Sequence, residues 1–505
     1  MLAIVRSATL LGVRGTPVTV EIHVSAGLPG FTIVGLPDTS CREARDRVRA
    51  ALLSSNFTWP DTRTTVNLAP SGVRKIGAGL DLAIAVAVLV ATKQLPSSAL
   101  DLACLGELGL DGSVRPIVGA VPLAAALDPT ELVVAEANAV EADLVGKHSV
   151  RPVRTLTELA ACVRGEEPWS QPPRRAEVEK VGGLDLSDVR GNRMARFALE
   201  VAAAGGHHLL YVGPPGAGKT MLAERLPGLL GPLDDDAAIE VTTVHSAAGE
   251  PLPPGGLIRT PPFRSPHHTV SNVALVGGGS HVLKPGEVSM AHRGVLFLDE
   301  MGEFSAVGLD ALRQPLESGI VRISRAHASA TMPAAFQLVG SMNPCPCGFA
   351  GSTTTMCRCS GAALGRYARR VSGPLLDRFD LRLRVEPTDG AHLLGSPAGE
   401  STAVVAARVA RARARALERG VTANRLLSAR KLDSLARLDD GATRLLGESI
   451  AVGRLTGRGL RRVKCVALTL DDLRGGDGCL DSEVVAQAMA LRADLRFGEV
   501  GAGTW

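Results

Sequence analysis

The octapeptide Gly213-Pro214-Pro215-Gly216-Ala217-Gly218-Lys219-Thr220 fits G-x-x-x-x-G-K-[ST] and lies between the apolar run LLYV and the helix-forming MLAERLPGLL. Glycines at these positions let backbone N–H groups wrap phosphate oxygens, and a helix N-terminus adds a favourable dipole. Lys219 is then placed to reach the outer phosphates and Thr220 to ligate magnesium. A second run, GVLFLDE at 294–300, reads as a buried strand ending in two carboxylates. Asp299 would hold the same magnesium ion, and Glu300 would polarise an attacking water. A third strand, FQLVGSMN, closes on Asn343, placed to orient that water from a neighbouring strand tip. The chemistry these residue types serve is in-line phosphoryl transfer from a nucleotide polyphosphate to water, with Mg2+ as cofactor.

In-line phosphoryl transfer also needs cationic charge on the γ-phosphate, supplied in cis or in trans. SGPLLDRFDL presents Arg378 between two Asp residues, and LTGRGLRRVKCV presents Arg458 at a turn opening a helix. Directly after Asn343 come Cys345, Cys347, Cys357 and Cys359, two C-x-C pairs separated by nine residues. Four thiolates can close a tetrahedral site with no open position, the donor set of a structural zinc. Free thiols and an iron–sulfur cluster are the alternatives, since this spacing does not choose the metal. Because the cluster follows Asn343 and precedes Arg378, a metal knuckle is expected to stiffen the segment between them.

These stretches need elements to carry them. A chain of 505 residues exceeds one ordinary core and implies two to four domains. With 45% hydrophobic and 21% charged residues it has the balance of a soluble globular protein. The longest apolar run, LDLAIAVAVLVA at 80–91, contains Asp81 and falls short of the ~20 residues of a membrane span. It reads as a buried helix, so no membrane partner is expected. The N-terminus lacks a secretory pattern, which predicts a cytoplasmic protein whose five other cysteines stay free. Residues 401–505 hold 18 Lys/Arg against 12 Asp/Glu, a basic bias compatible with a polyanion.

The expected fold class is α/β. Residues 1–163 alternate β-branched strands with helical stretches, a mixed α/β domain. Residues 164–183 are charged and Pro-rich, a linker. From 184 to 392 helices alternate with apolar strands, which predicts a mostly parallel sheet covered on both faces. From 393 to 505 the β signal vanishes and a helical bundle is expected.

The order DVRGNRMARFALEVAAAGGHHLLYVGPPGAGKTMLAERLPG, PPFRSPHHTVSNVALVGGG, GVLFLDEM, ALRQPLE, MNPCPCG and GPLLDRFD resembles the ComM/YifB family of magnesium-chelatase-like AAA+ ATPases across nearly the whole chain. The resemblance implies a P-loop AAA+ core, a chelatase-type helical lid and a homohexameric ring with ATP between subunits. It puts Lys219 and Thr220 in Walker A, Asp299 and Glu300 in Walker B, Asn343 at sensor 1, Arg378 at the arginine finger and Arg458 at sensor 2. Where relatives read VARTIADL this chain reads VALTLDDL, with Leu468 in place of an arginine. The N-terminal domain resembles the Lon proteolytic domain, of ribosomal S5 domain 2-like fold. Its serine position falls on Gly79 and its lysine stretch reads Gly119-Ala120-Val121-Pro122-Leu123, so peptidase chemistry is excluded.

The resemblance also implies a substrate-facing hairpin in SGIVRISRAHASATMPAAF, with Arg325 and His327 at its tip, an ordinary surface hairpin being the alternative, while the Gly-, Pro- and His-rich stretch 261–287 reads as a second moving loop. His267 and His268 in that loop suit hydrogen bonds within it or a metal. In the run ARVARARARALERG, Arg408, Arg411, Arg415 and Arg419 fall on one helical face, which suits phosphate contacts or plain solvation. Only two Tyr, three Trp and ten Phe argue against base stacking as the mode of nucleic-acid binding. The family's activity implies a motor on single-stranded or branched DNA, a helicase or branch migrator of recombination or transformation. A protein-remodelling or chelatase-like ATPase, with a protein substrate, is the alternative.

Overall fold

The computed structural model describes residues 1–173, 183–279, 282–325, 328–351, 355–387 and 399–493. The N-terminal part is built on a seven-stranded sheet. Its strands are β1 (Leu2–Leu11), β2 (Arg14–Ser25), β3 (Gly30–Val34), β4 (Arg63–Ala69), β5 (Ala103–Leu105), β6 (Glu131–Ala135) and β7 (Ser149–Val153), in the spatial order β3-β4-β2-β1-β5-β6-β7. β1 and β2 pair antiparallel through a tight turn, whereas β5, β6 and β7 run parallel to β1. Every residue of the helix Asp81–Ala91 is buried, as its unbroken apolar character requires. Asp81 tolerates that place because Arg47 reaches it, Nε to Oδ2 at 2.7 Å and Nη2 to Oδ1 at 3.1 Å.

A second sheet carries the chemistry-bearing stretches. Its strands are β8 (Leu209–Val212), β9 (Phe263–Arg264), β10 (Val295–Leu298), β13 (Gln337–Met342) and β14 (Leu381–Arg384), in the order β9-β10-β13-β8-β14. Between β10 and β13 the chain makes an antiparallel hairpin of β11 (Ile320–Arg325) and β12 (Ala328–Pro333). All pairs of the five-stranded sheet are parallel. Fully buried strands β8, β10 and β13 read as continuous apolar runs for that reason. β9 lies in the stretch read as a loop insertion; two residues are too few for any periodicity to show.

The helices Arg193–Gly205, Thr402–Glu418 and Gly457–Arg474 share one hydrophobic cluster with the strands. The C-terminal part is helical with one correction. Arg437–Leu438 and Cys479–Leu480 form a short parallel pair that ties the ends of two helices together. The helix Leu156–Arg164 runs past the expected boundary at 163. Residues 174–182 of the expected linker, and the boundary at 392/393, fall outside the described residues.

The two sheets are joined through specific contacts. The β1–β2 turn abuts the hairpin: a Cβ on Gly12 would stand 2.9 Å from Ala330 Cβ, and Val13 joins Ala330 and Met332 in one buried cluster. The helix Ala120–Ala126 packs on Asp235–Ala248, with Val121 N–H donating to Ser246 Oγ at 3.3 Å and Ser246 donating to Glu141 at 3.0 Å. That helix contains the stretch in which a Lon-type base would stand. The space beside Gly79 is taken by Ile117, 3.6 Å from where a Cβ would be.

Candidate nucleotide site

In a parallel sheet all strands end at one edge. The register pairs Val212 with Met342 and Leu298 with Gly340, so the segments after β8, β10 and β13 emerge side by side. Strand separation of ~4.8 Å then brings three sequence-distant motifs within side-chain reach. The structure shows this convergence. Lys219 Nζ donates to Gly213 O at 2.6 Å, to Pro214 O at 2.9 Å and to Asn343 Oδ1 at 3.2 Å. Thr220 Oγ1 donates to Asp299 Oδ2 at 3.0 Å.

The loop 213–220 has the shape of an anion cradle. Gly216 and Gly218 adopt φ of +76° and +81°, a conformation that other residues resist, and a Cβ on either would meet open space. Gly213 is needed for a different reason: a Cβ there would stand 2.1 Å from Val385 O. Burial lowers the affinity of Lys219 for its proton, and the nearby carboxylates of Asp299 and Glu300 partly offset this. The cation and the paired hydroxyl and carboxylate thus fit a polyphosphate with a divalent ion.

Glu300 sits in the left-handed region at φ +50°, and its N–H donates to Asp299 Oδ1 at 3.0 Å. Its carboxylate is half exposed and faces His268, Nδ1 to Oε2 at 3.7 Å. His267 bonds Thr269 Oγ1 at 2.8 Å, so the pair 267–268 is occupied within its loop and against Glu300. Two residues of this site were not anticipated. Ser341 Oγ hydrogen-bonds Asp299 Oδ1, and Tyr367 Oη donates to Asn343 O at 3.2 Å. Ser341 lies in β13 two positions before Asn343, which follows the strand's end, and the period of a strand continued to that residue could have found it.

Arg378 and Arg458 are elsewhere. β14 starts at Leu381 in register with Leu209, so Arg378 precedes the sheet at the edge opposite the loop 213–220. The length of β8 alone separates the two edges by roughly 13 Å. There Arg378 pairs with Glu317, and its buried Nε finds no hydrogen-bond partner among the described residues. Arg378, Arg425, Arg458, Arg461 and Arg462 line one cavity of about 390 Å³. Burial, then the charges of Arg462, Arg458 and Arg313, make Arg378 a weaker base than usual. Asp380 anchors this cluster through Arg462, at 3.1 Å.

The arginine face of helix Thr402–Glu418 is largely engaged. Arg408 forks onto Glu200 at 2.6 and 2.9 Å and also bonds Glu400. Arg415 donates to Gly476 O at 2.6 Å, and Arg419 bonds Asp472 at 2.7 Å. Only Arg411 of the four is exposed. Arg325 is exposed at its hairpin end, while His327 lies outside the described residues. Leu468 is fully buried in the helical core.

The four cysteines cluster after β13. Cys345 Sγ lies 3.3 Å from Cys347 Sγ and 3.7 Å from Cys357 Sγ, and all four sulfurs lie within 4.8 Å of one another. They sit at the same sheet edge as Lys219 and Asn343. The expected bracing of Arg378 is therefore redirected, because that residue stands at the other edge.

No described helix is long and apolar enough to cross a membrane. Three family profiles match successive parts of the chain: Subunit ChlI of Mg-chelatase at 20–138, Magnesium chelatase, subunit ChlI at 185–393, and its C-terminal profile at 399–492. Competence protein ComM of Haemophilus influenzae is 42% identical over 98% of both chains. The uncharacterized protein YifB of Escherichia coli is 41% identical over 97% of both. Lon protease 2 of Bacillus subtilis is 27% identical over 40% of this chain and 39% of its own. With a site of this geometry and similarity across its whole length, the chain belongs to the ComM/YifB family of magnesium-chelatase-like AAA+ ATPases.

Proposed function

We propose that this protein is an ATP-driven ring motor acting on DNA, with each hydrolytic site completed by the neighbouring subunit. The observation that carries this reading is the division of the machinery between two edges of one sheet. Lys219, Thr220, Asp299, Glu300 and Asn343 stand at one edge and Arg378 and Arg458 at the other. Arginine side chains span far less than the strand that separates them from their own chain's phosphate loop. They serve a nucleotide only by facing the next subunit, which calls for a closed head-to-tail ring, a homohexamer in this reading.

Within one site, Lys219 and the backbone of 213–218 bind the phosphates, and Thr220 and Asp299 hold Mg2+. Held by these two side chains, Mg2+ would supply charge neutralisation to the phosphates. Glu300 takes the proton of the attacking water and Asn343 orients it. Arg378 of one protomer stabilises charge on the γ-phosphate held by its partner, with Arg458 beside it. Zinc in the four-cysteine cluster is the remaining cofactor, and a cytoplasmic location goes with these roles.

DNA as substrate is supported by the likeness to a protein named for competence and by the exposed Arg325 at the hairpin. A specific observation favours a second reading, remodelling of a protein. Arg408, Arg415 and Arg419, three of the four arginines of the expected stripe, are spent on intrachain partners, which removes most of a phosphate-binding surface. The deciding measurement is ATPase rate with no DNA, single-stranded DNA and a four-way junction over a salt series. Stimulation that falls steeply with salt is expected. Indifference to every DNA form would move the assignment to protein remodelling.

A further inference from the structure

The cysteine cluster has dimensions that choose between its chemical states. A disulfide needs sulfurs ~2.05 Å apart, whereas Cys345, Cys347 and Cys357 stand 3.3, 3.6 and 3.7 Å from one another. A tetrahedral zinc with Zn–S of ~2.3 Å places its sulfurs about 3.8 Å apart. The cluster therefore has the edge length of a metal tetrahedron. No His or carboxylate joins it among the described residues, so the donor set is all sulfur. Cys345 is fully buried, and the N–H of Ala350 points to its Sγ at 3.2 Å, as backbone donors do toward metal-bound thiolates.

The loop so formed touches the phosphate loop. Cys345 to Gly348 make a tight turn, Gly348 N–H to Cys345 O at 2.9 Å, and Gly348 takes φ of +86°. It presses on Pro215: a Cβ at position 348 would lie 2.6 Å from Pro215 Cδ and 3.0 Å from its Cγ. On the other side, Cys345 follows two residues after Asn343, which receives the hydrogen bond from Lys219. One small loop is thereby fastened to both flanks of Lys219.

We propose that Cys345, Cys347, Cys357 and Cys359 bind one zinc ion, and that the loaded loop is a clamp holding the phosphate loop in its binding shape through Gly348 and Pro215. The second half rests on the reading of 213–220 as the phosphate loop. Cys357 and Cys359 close the tetrahedron from beyond residue 355, so the turn at 345–348 is held only while the metal joins it to them. Without metal, the turn keeps its covalent link to Asn343 but loses the fixed stand from which Gly348 meets Pro215.

The experiment uses the full-length protein. Elemental analysis is expected to find about one zinc per chain, falling in Cys357→Ser and Cys359→Ser. Cobalt(II) put in place of zinc should show the absorption of a tetrahedral thiolate site. Zinc is then stripped with a chelator and the binding of a fluorescent ATP analogue is measured by titration. Affinity is expected to fall about tenfold or more, since a loop no longer held in its bound shape must be ordered by the nucleotide at a cost in binding free energy. It should recover when zinc is added back, with circular dichroism unchanged throughout.

Protein that neither retains nor takes up zinc overturns the site, and iron with a visible absorption band replaces zinc with a cluster. Full zinc content with unchanged nucleotide affinity after stripping overturns the clamp and leaves the metal site standing. Lys219→Ala separates the two readings: it should retain zinc and lose the nucleotide. If it retains both, the phosphate-loop reading has failed, independently of the metal.

Discussion

Thr220 Oγ1 and Asp299 Oδ2 lie 3.0 Å apart, although 79 residues separate them along the chain. Their meeting follows from sheet order. β13 stands between β8 and β10, so two strand ends and one loop converge at the same edge. Two oxygens at this distance match adjacent ligands of one octahedral magnesium ion, whose Mg–O bonds of ~2.0–2.1 Å set neighbouring oxygens about 2.9 Å apart. Asp299 is further held by Ser341, which leaves Glu300, its neighbour, free to point elsewhere.

The first prediction separates those neighbours. Glu300→Gln should bind ATP and keep the ring assembled, yet lower turnover by about 10²–10⁴-fold, the range for loss of a general base. Lys219→Ala should lose nucleotide binding itself. Turnover of Glu300→Gln near the parental rate would show that another group activates the water.

How much of this was readable beforehand depends on how far apart the partners lie in the chain. The loop 213–220 and the strand ending Asp299-Glu300 are contiguous, so type and order carry them. The four cysteines are close in sequence and their convergence was legible. Pro215 as their neighbour was not, since 133 residues and one sheet pairing stand between it and Gly348. The arginine stripe misled for the same reason. Helical spacing puts Arg408, Arg415 and Arg419 on one face correctly, but Glu200 and Asp472 reach that face from other helices.

Arg408 supplies the second prediction. Glu200 is one-tenth exposed and its carboxylate is met by the Arg408 fork, so Arg408→Ala strands a nearly buried charge. A loss of about 2–4 kcal/mol is expected, below the full range for a buried pair because Arg408 itself is partly wet. It should be read as a lower melting temperature. Arg411→Ala, at an exposed site, should melt as the parent does. Weakened DNA binding with unchanged melting in Arg408→Ala would restore the stripe as a phosphate surface.

The third concerns Asp81. Burial raises its pKa from 3.8 to about 6, against the opposing pull of Arg47. The folded state therefore holds this proton more tightly than the unfolded chain does. Stability from this group is present below about pH 4 and is lost as pH rises through about 6, by on the order of 3 kcal/mol. Asp81→Asn carries no such proton. Between pH 4 and 6.5, the parent's melting temperature should fall relative to that of Asp81→Asn, and parallel profiles would place the titration elsewhere.

The fourth tests whether Arg378 acts across subunits. Its guanidinium stands at the sheet edge opposite its own phosphate loop and is parked on Glu317 of the same chain. Arg378→Ala should bind ATP normally, because no contact to the loop is removed, and hydrolyse it about 10³–10⁵-fold more slowly, as loss of an arginine finger does. Lys219→Ala is inactive for the opposite reason, an intact finger beside an empty loop. When the two proteins are mixed and exchange subunits, some interfaces join the Lys219 of an Arg378→Ala subunit to the Arg378 of a Lys219→Ala subunit. Those interfaces are complete, so activity should return in proportion to their number and depend on the mixing ratio. The measurement needs an independent sign of exchange, such as energy transfer between labelled subunits. Exchange without any recovered hydrolysis would place Arg378 outside the reaction, and activity of Arg378→Ala alone near the parental rate would do the same.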